Sequence, residues 1–192
     1  DYLINWFGWI FRNPSEPTKS CVILRSEKKQ IGKGIIINKF IIPFIIGDRY
    51  SIETCGTDTL DAKFNANLMD KLLVSMDELV SKENTSKNWH ASGQVIKSRI
   101  TDPRLEIEIK GGRKFNYKNT LNIIATCNCK CPIKIESGDM RFAFFDCNGE
   151  FQGDRVYFKK LFKKFTQENA NHFFSYCCYY DPFINPTIIP KT

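Results

Sequence analysis

Lys71-Leu72-Leu73-Val74-Ser75-Met76-Asp77-Glu78 is an apolar run that stops in two acids. A short, continuous apolar run reads as a buried strand, and strands buried on both faces belong to parallel α/β sheets. Such sheets bind ligands at the carboxyl ends of their strands. There the first acid of the pair suits a Mg²⁺ held through water, and the second suits the orienting of an attacking water. A strand with an acidic turn and no further role would look the same, so the stretch has to be read with its neighbours.

Upstream, Ser20 to Arg25 reads as a second buried strand, Ser26 to Lys33 as a polar loop, and a helix is expected to begin near Gly32. Strand, loop, Gly-Lys, helix is the order of a phosphate-binding loop, whose backbone N–H groups and lysine face the phosphates of a nucleotide. The full signature, G-x-x-x-x-G-K-[ST], is met here by Glu27-Lys28-Lys29-Gln30-Ile31-Gly32-Lys33-Gly34. Gly32 and Lys33 fit. Glu27 stands at the first glycine and Gly34 at the hydroxyl position. The candidate nucleotide-binding residues are therefore Lys29, Gln30, Ile31, Gly32, Lys33 and Gly34. Downstream, Leu121 to Cys127 reads as a third buried strand that closes on Asn128, an amide placed to sense the outer phosphate. A Gly-Lys in a turn and an Asn opening a turn are common separately. The order carries the weight: Asp77-Glu78 follows Lys33 by about 44 residues, Asn128 follows by about 50 more, and each closes a buried strand.

The remaining pattern alternates short strands with helical segments, an α/β fold. Residues 1–12, rich in Trp and Phe, read as a packing helix ended by Asn13-Pro14-Ser15-Glu16-Pro17. Ser92 to Ile100 reads as a helix, Leu105 to Ile109 as a half-exposed strand, Gly111-Gly112 as a turn and Arg141 to Asp146 as a fourth buried strand. Arg155 to Phe165 reads as an amphipathic helix with Arg155, Lys159, Lys160, Lys163 and Lys164 on one face and a core stripe of Val156, Phe158, Leu161, Phe162 and Phe165 on the other.

The 192 residues suffice for one domain with a sizeable core, and 42% hydrophobic against 26% charged residues excludes a disordered chain. The net charge of +7 suits a polyanionic partner. Lys82 to Lys118 holds nine basic residues against four acids, so most of that surplus lies in one segment. The longest apolar run, Ile35 to Ile46, is broken by Asn38, Lys39 and Pro43 and is too short to span a bilayer. The first residues lack the features of a secretory signal, and the eight cysteines are read as reduced thiols. Cys127, Cys129 and Cys131 are a poor zinc set, and Asn84-Thr85-Ser86 is a glycosylation pattern without consequence inside a cell. The chain starts on Asp1 rather than Met, as a piece of a longer protein would.

Phe64-Asn65, Lys71 to Val74 and Asp77-Glu78 resemble the "FN…L…KLLV…DE" run of viral-type superfamily 3 primase–helicases, as found in poxviruses and phages. Lys97-Ser98-Arg99-Ile100-Thr101 followed by Lys110-Gly111 looks like the family's "K-S-x-I-T…K-G" segment. Thr126-Cys127-Asn128 matches its "(T/S)-x-N" motif, and Asp139-Met140-Arg141-Phe142 is similar to its "D-R-R-F". The resemblance implies a three-layer P-loop NTPase of AAA+-like type with a central, mostly parallel sheet. In it, residues 1–17 would be a packing helix, 18–150 the ATPase core and 151–192 a helical C-terminal segment. It implies ATP and Mg²⁺ as cofactors, with Lys33 on the outer phosphates, Asp77 on Mg²⁺, Glu78 on the water, Asn128 as sensor and Arg141 as an arginine finger given to a neighbouring subunit. It implies that Lys110, Gly111, Gly112, Arg113 and Lys114 form a hairpin gripping single-stranded DNA in a homo-oligomeric, hexameric ring, with a primase domain on the same longer chain. The setting it implies is intracellular, in viral or mobile-element replication, with no membrane. Two readings follow: a DNA helicase motor, or, given Glu27, Gln30 and Gly34, a degenerate non-hydrolysing subunit that binds DNA or forms the ring.

Overall fold

The computed structural model describes residues 1–79, 86–129 and 139–189. Five strands form one parallel sheet: β1 (Cys21–Arg25), β2 (Ser51–Cys55), β3 (Leu73–Asp77), β6 (Asn122–Cys127) and β7 (Phe142–Asp146), in the order β2-β3-β6-β1-β7. Two further strands, β4 (Arg104–Glu108) and β5 (Lys114–Lys118), make a separate antiparallel hairpin.

Strand period two sends alternate residues to opposite faces, and both faces of the sheet are covered. Cys21, Ile23, Val74, Met76, Ile123, Ala125 and Cys127 meet Ile96 and Ile100 of α3 (Ser86–Thr101) and Leu105 and Ile107 of the hairpin. Val22, Leu24, Leu73, Ile124 and Ala143 meet α1 (Tyr2–Arg12), α5 (Gln167–Cys178) and a π-helix, Ile37–Ile46. The architecture is therefore three-layered, and its core cysteines, Cys21 and Cys127, are buried free thiols. Each such fully buried aliphatic side chain contributes about 1.5–3 kcal/mol.

The loop after β1 runs through Gly34, and helical turns begin at Ile35, later than the Gly32 expected from sequence. The turns are wide, the Gly47 N–H reaching the carbonyl of Ile42 at 2.7 Å. Pro43 lies inside them; it has no N–H to give and crowds the carbonyl of the preceding turn, and π-type widening accommodates that. Short helical turns at Asp58–Asp61 (α2) and Ala66–Leu68 link β2 to β3.

The C-terminal segment departs from expectation. The helix expected over Arg155 to Phe165 is α4 (Arg155–Phe162), capped by Asp154, whose carboxylate accepts from the N–H groups of Val156 and Tyr157. Its apolar stripe is not core: Val156 is 65% exposed and Phe162 46%. The helical period shows which residues share the stripe, but α4 lies over the loop after β1, with Phe158 against Gly32, rather than against the sheet. α5 does pack. α1 approaches it so closely that a Cβ at Gly8 would lie 2.2 Å from the Cys177 carbonyl oxygen. The Asn84 glycosylation pattern, Cys131 and Gly138 lie outside the described residues. Among the described residues no helix is long and apolar enough to cross a membrane.

Candidate functional site

The π-helix face of the sheet is apolar at the start of each strand and polar at the end. On β3 the series is Leu73, Ser75, Asp77; on β6 it is Asn122, Ile124, Thr126. β6 lies between β1 and β3, so the ends of the three strands read from sequence are adjacent. Over them opens a cleft of about 430 Å³, bounded by residues Lys29 to Ile35 of the loop and by Asn38, Lys39, Asp77, Glu78, Thr126 and Asn128.

All six candidate nucleotide-binding residues and Asp77, Glu78 and Asn128 thus border one cavity. Lys33 arches back over the loop, its Nζ 3.4 Å from the Lys28 carbonyl oxygen and 2.8 Å from Oδ1 of Asn128. The Asn128 amide in turn points its Nδ2 at Oε1 of Glu78, 3.4 Å away. Loop lysine, central-strand amide and acid are thereby one chain of contacts. Oδ1 of Asp77 accepts a 2.5 Å hydrogen bond from the Thr126 hydroxyl, and the Glu78 N–H points at that same hydroxyl from 3.4 Å. On the floor, Oγ of Ser75 donates to Oδ1 of Asn38 at 2.6 Å. Asp77 and the Thr126 hydroxyl are hard oxygen donors of the kind Mg²⁺ takes.

Two backbone features shape the rim. Gly32 has φ +86, and a Cβ there would come within 2.7 Å of the Phe158 ring, so both conformation and space demand glycine. Glu78 has φ +48 without being glycine, a conformation that costs on the order of 1 kcal/mol or more and concentrates at functional positions. Lys29, Lys33 and Lys39 exceed Asp77 and Glu78 by one charge around the cavity, a balance suited to an anionic ligand.

Arg141 is not in the cleft. It precedes β7, whose first residue pairs with Cys21 at the start of β1. One five-residue strand, roughly 16 Å, separates it from its own chain's loop. There its guanidinium grips Asp139 by two bonds, Nε to Oδ1 at 2.7 Å and a terminal nitrogen to Oδ2 at 2.8 Å. Asp139 also meets Nζ of Lys97 at 2.9 Å, with both side chains about 95% buried or more. Arg141 first, then Lys97, hold the Asp139 carboxyl down to about 2 against the opposing effect of burial. The segments Lys97 to Thr101 and Asp139 to Phe142, read separately in the sequence, are joined by this pair.

The hairpin tip also lies apart from the cleft. Its root is fixed: Leu105 and Ile107 are buried, and Asn65 bonds the Glu108 N–H and the Glu106 carbonyl, each at 2.9 Å. Lys110, Gly111, Gly112, Arg113 and Lys114 are all exposed, with Gly111 at φ +78 making the turn. Lys114 is held by Glu106 at 2.7 Å and Glu108 at 3.6 Å, and the Glu106 hydrogen bond raises its pKa. Among the described residues neither Lys110 nor Arg113 has an ion-pair partner.

Sequence reasoning gave Thr126 no role, although it opens the Thr126-Cys127-Asn128 motif, and passed over Asn38. The signals were present: Thr126 stands two residues before Asn128, on the cleft-facing side of a strand, and Asn38 is a polar break in an apolar run.

Comparison with known proteins places the chain. It is 29% identical over 145 residues, 76% of its length, to the DNA primase-polymerase of Nitratiruptor phage NrS-1, and spans 19% of that protein. It superposes in full on solved apo structures of the NrS-1 C-terminal region, with TM-scores of 0.81 and 0.76, 24% identity and 44% of those chains covered. At that identity the structures speak to the fold, which they share. Residues 24–141, more than half of the chain, match a family of unknown function, DUF5906, and the chain belongs to that family.

Proposed function

We propose that this domain is an ATP-hydrolysing motor of the superfamily 3 helicase type that translocates on single-stranded DNA during viral or mobile-element replication. One observation carries the reading: Lys33, Asn128 and Glu78, from three separate strand ends, meet in one cleft through contacts of 2.8 and 3.4 Å. The similarity to a phage DNA primase-polymerase supports a replication role, with the priming chemistry on another part of a longer chain.

In this reading Lys33 and the N–H groups of the Lys29 to Gly34 loop hold the triphosphate, and Lys33 exchanges Asn128 for the outer phosphates. Asp77 would hold a Mg²⁺ ion, which would supply positive charge against the phosphoryl oxygens. Glu78 orients a water whose oxygen bonds to the terminal phosphorus as the bond to the bridging oxygen breaks, releasing ADP and phosphate. Asn128 spans water and phosphate. Arg141 lies too far from its own cleft to take part there; to serve a neighbouring subunit in a ring, a hexamer in this family type, its guanidinium would have to leave Asp139. The exposed cations at the hairpin tip, Lys110 and Arg113, would grip the phosphates of the strand.

The test is steady-state ATP hydrolysis with and without single-stranded DNA. Lys33→Ala and Glu78→Gln should each lower DNA-stimulated turnover by roughly 100-fold or more. No turnover above that of the variants, in folded and assembled protein, overturns the motor. It would favour the other reading, a subunit that binds DNA or forms the ring, to which Glu27, Gln30 and Gly34 in the loop point.

A further inference from the structure

The phosphate loop lacks the hydroxyl that would follow its lysine, because Gly34 stands there. In a P-loop that hydroxyl serves Mg²⁺. Space for it exists. A Cβ built on Gly34 would make only ordinary contacts, at 3.7 Å to Nδ2 of Asn38 and 3.8 Å to Cγ2 of Thr126. The side chain bordering the gap from the sheet is Thr126 of the central strand, whose methyl faces Gly34 while its hydroxyl turns to Asp77.

Its hydrogen bonding leaves room for a cation. A threonine hydroxyl has one proton and two lone pairs. The Thr126 proton goes to Oδ1 of Asp77 at 2.5 Å, and the Glu78 N–H points at the oxygen from 3.4 Å. Among the described residues one lone pair then has no partner, on a side chain that borders the cleft beside the carboxylate best placed for a metal. Packing alone does not call for a hydroxyl here: Ile124, the preceding residue on this face, is apolar, and so is Leu24, the register partner of Thr126 on β1. Valine would serve the strand equally well.

We propose that Thr126 supplies the hydroxyl missing at Gly34, so that Thr126 and Asp77 together form the divalent-cation site of the cleft. The proposal rests on the nucleotide-binding reading above. It explains how a loop without the usual Ser or Thr keeps a metal: the ligand has moved across the cleft, from the helix start to the end of β6. Nothing in the loop then has to compensate, and Gly34 is free to be small.

The experiment measures Mn²⁺ affinity in the presence of a non-hydrolysable ATP analogue, counting free Mn²⁺ by its electron paramagnetic resonance signal. Affinity for the analogue alone is measured in parallel in EDTA. Thr126→Val should weaken Mn²⁺ about 10-fold or more, in the range seen when metal-site support is removed, and leave metal-free analogue binding unchanged. Thr126→Ser should stay within about threefold of the parent. The decisive variant is the double, Gly34→Ser with Thr126→Val, which should regain most of the lost affinity. A purely structural role for Thr126 would not be repaired from across the cleft. Thermal unfolding of each variant establishes that it is folded. Mn²⁺ affinity within twofold of the parent in Thr126→Val, or no recovery in a folded double variant, overturns the proposal while analogue binding keeps the nucleotide reading. Failure of the parent chain to bind the analogue at all overturns both.

Discussion

The two ends of the parallel sheet treat charge in opposite ways. At the carboxyl end, Lys33, Asp77 and Glu78 face an open cleft through single, partly long contacts, and Glu78 sits in a strained backbone conformation. At the amino end, Lys97 and Asp139 are buried, 2.9 Å apart, and Arg141 closes on Asp139 with two further bonds. On the proposed reading, the charges that exchange partners with a ligand are the ones left wet and loosely held. Charges that pin a helix to a strand are taken out of water and paired. The same residue types therefore carry different consequences when removed, and that contrast can be broken by experiment.

The largest expected effect is on stability at the amino end. Asp139→Ala leaves the Lys97 ammonium buried without a partner, at a cost of about 3–5 kcal/mol. Asp77→Ala, at the exposed carboxyl end, should cost under about 1 kcal/mol. Urea unfolding of the two variants measures the difference. Equal losses would erase the distinction between the two ends. Replacing both buried partners, as Lys97→Met with Asp139→Leu, should recover much of the deficit, because the penalty belongs to the orphaned charge.

Acid titration sharpens the same point. The folded Asp139 carboxyl is held at about 2, below its ordinary value of 3.8. A depressed carboxyl contributes stability above its unfolded value, and that contribution fades as pH falls from about 4 through about 2. The full contribution is roughly 2 kcal/mol. Unfolding free energy followed over this window should fall less in Asp139→Asn than in the parent chain. Parallel curves would mean that some other carboxylate carries the acid sensitivity.

The carboxyl end was the more legible of the two in sequence, for a physical reason. Strands buried on both faces are written as apolar runs, so β1, β3, β6 and β7 stood out, and Lys33, Asp77, Glu78 and Asn128 each sat where a run or its loop ended. β2 did not stand out, because Ser51 to Cys55 is an edge strand with alternating, half-exposed residues. The helix after the loop was expected, but not its π-type widening, which answers to Pro43 inside the turns. Sequence misjudged α4 because a helical period shows which residues share a face and not what that face meets. The amino-end cluster was legible only as fragments. Lys97 and Asp139 are far apart in the chain, and only the fold, which brings α3 to the segment before β7, puts an ammonium and a carboxylate together. Thr126 shows the same limit at the cleft. Its importance comes from Asp77 and Gly34, which reach it from other elements.

The smallest predicted effect concerns the hairpin, where both treatments of charge occur within five residues. Lys114 is engaged by Glu106 and Glu108, whereas Lys110 and Arg113 have no ion-pair partner among the described residues. A cation that neutralises a phosphate releases a counterion, and for single strands each such contact adds about 0.7 to the slope of log affinity against log salt. Lys110→Ala and Arg113→Ala should each reduce that slope by about this amount, in fluorescence anisotropy with labelled single-stranded DNA, and leave stability within about 0.5 kcal/mol. Lys114→Ala should change it by less, because binding DNA through Lys114 requires taking it from two carboxylates. If all three variants shift the slope equally, the internal pairing of Lys114 has no bearing on the strand. If none does, the basic tip is a solvated turn and the proposed DNA contact through it fails.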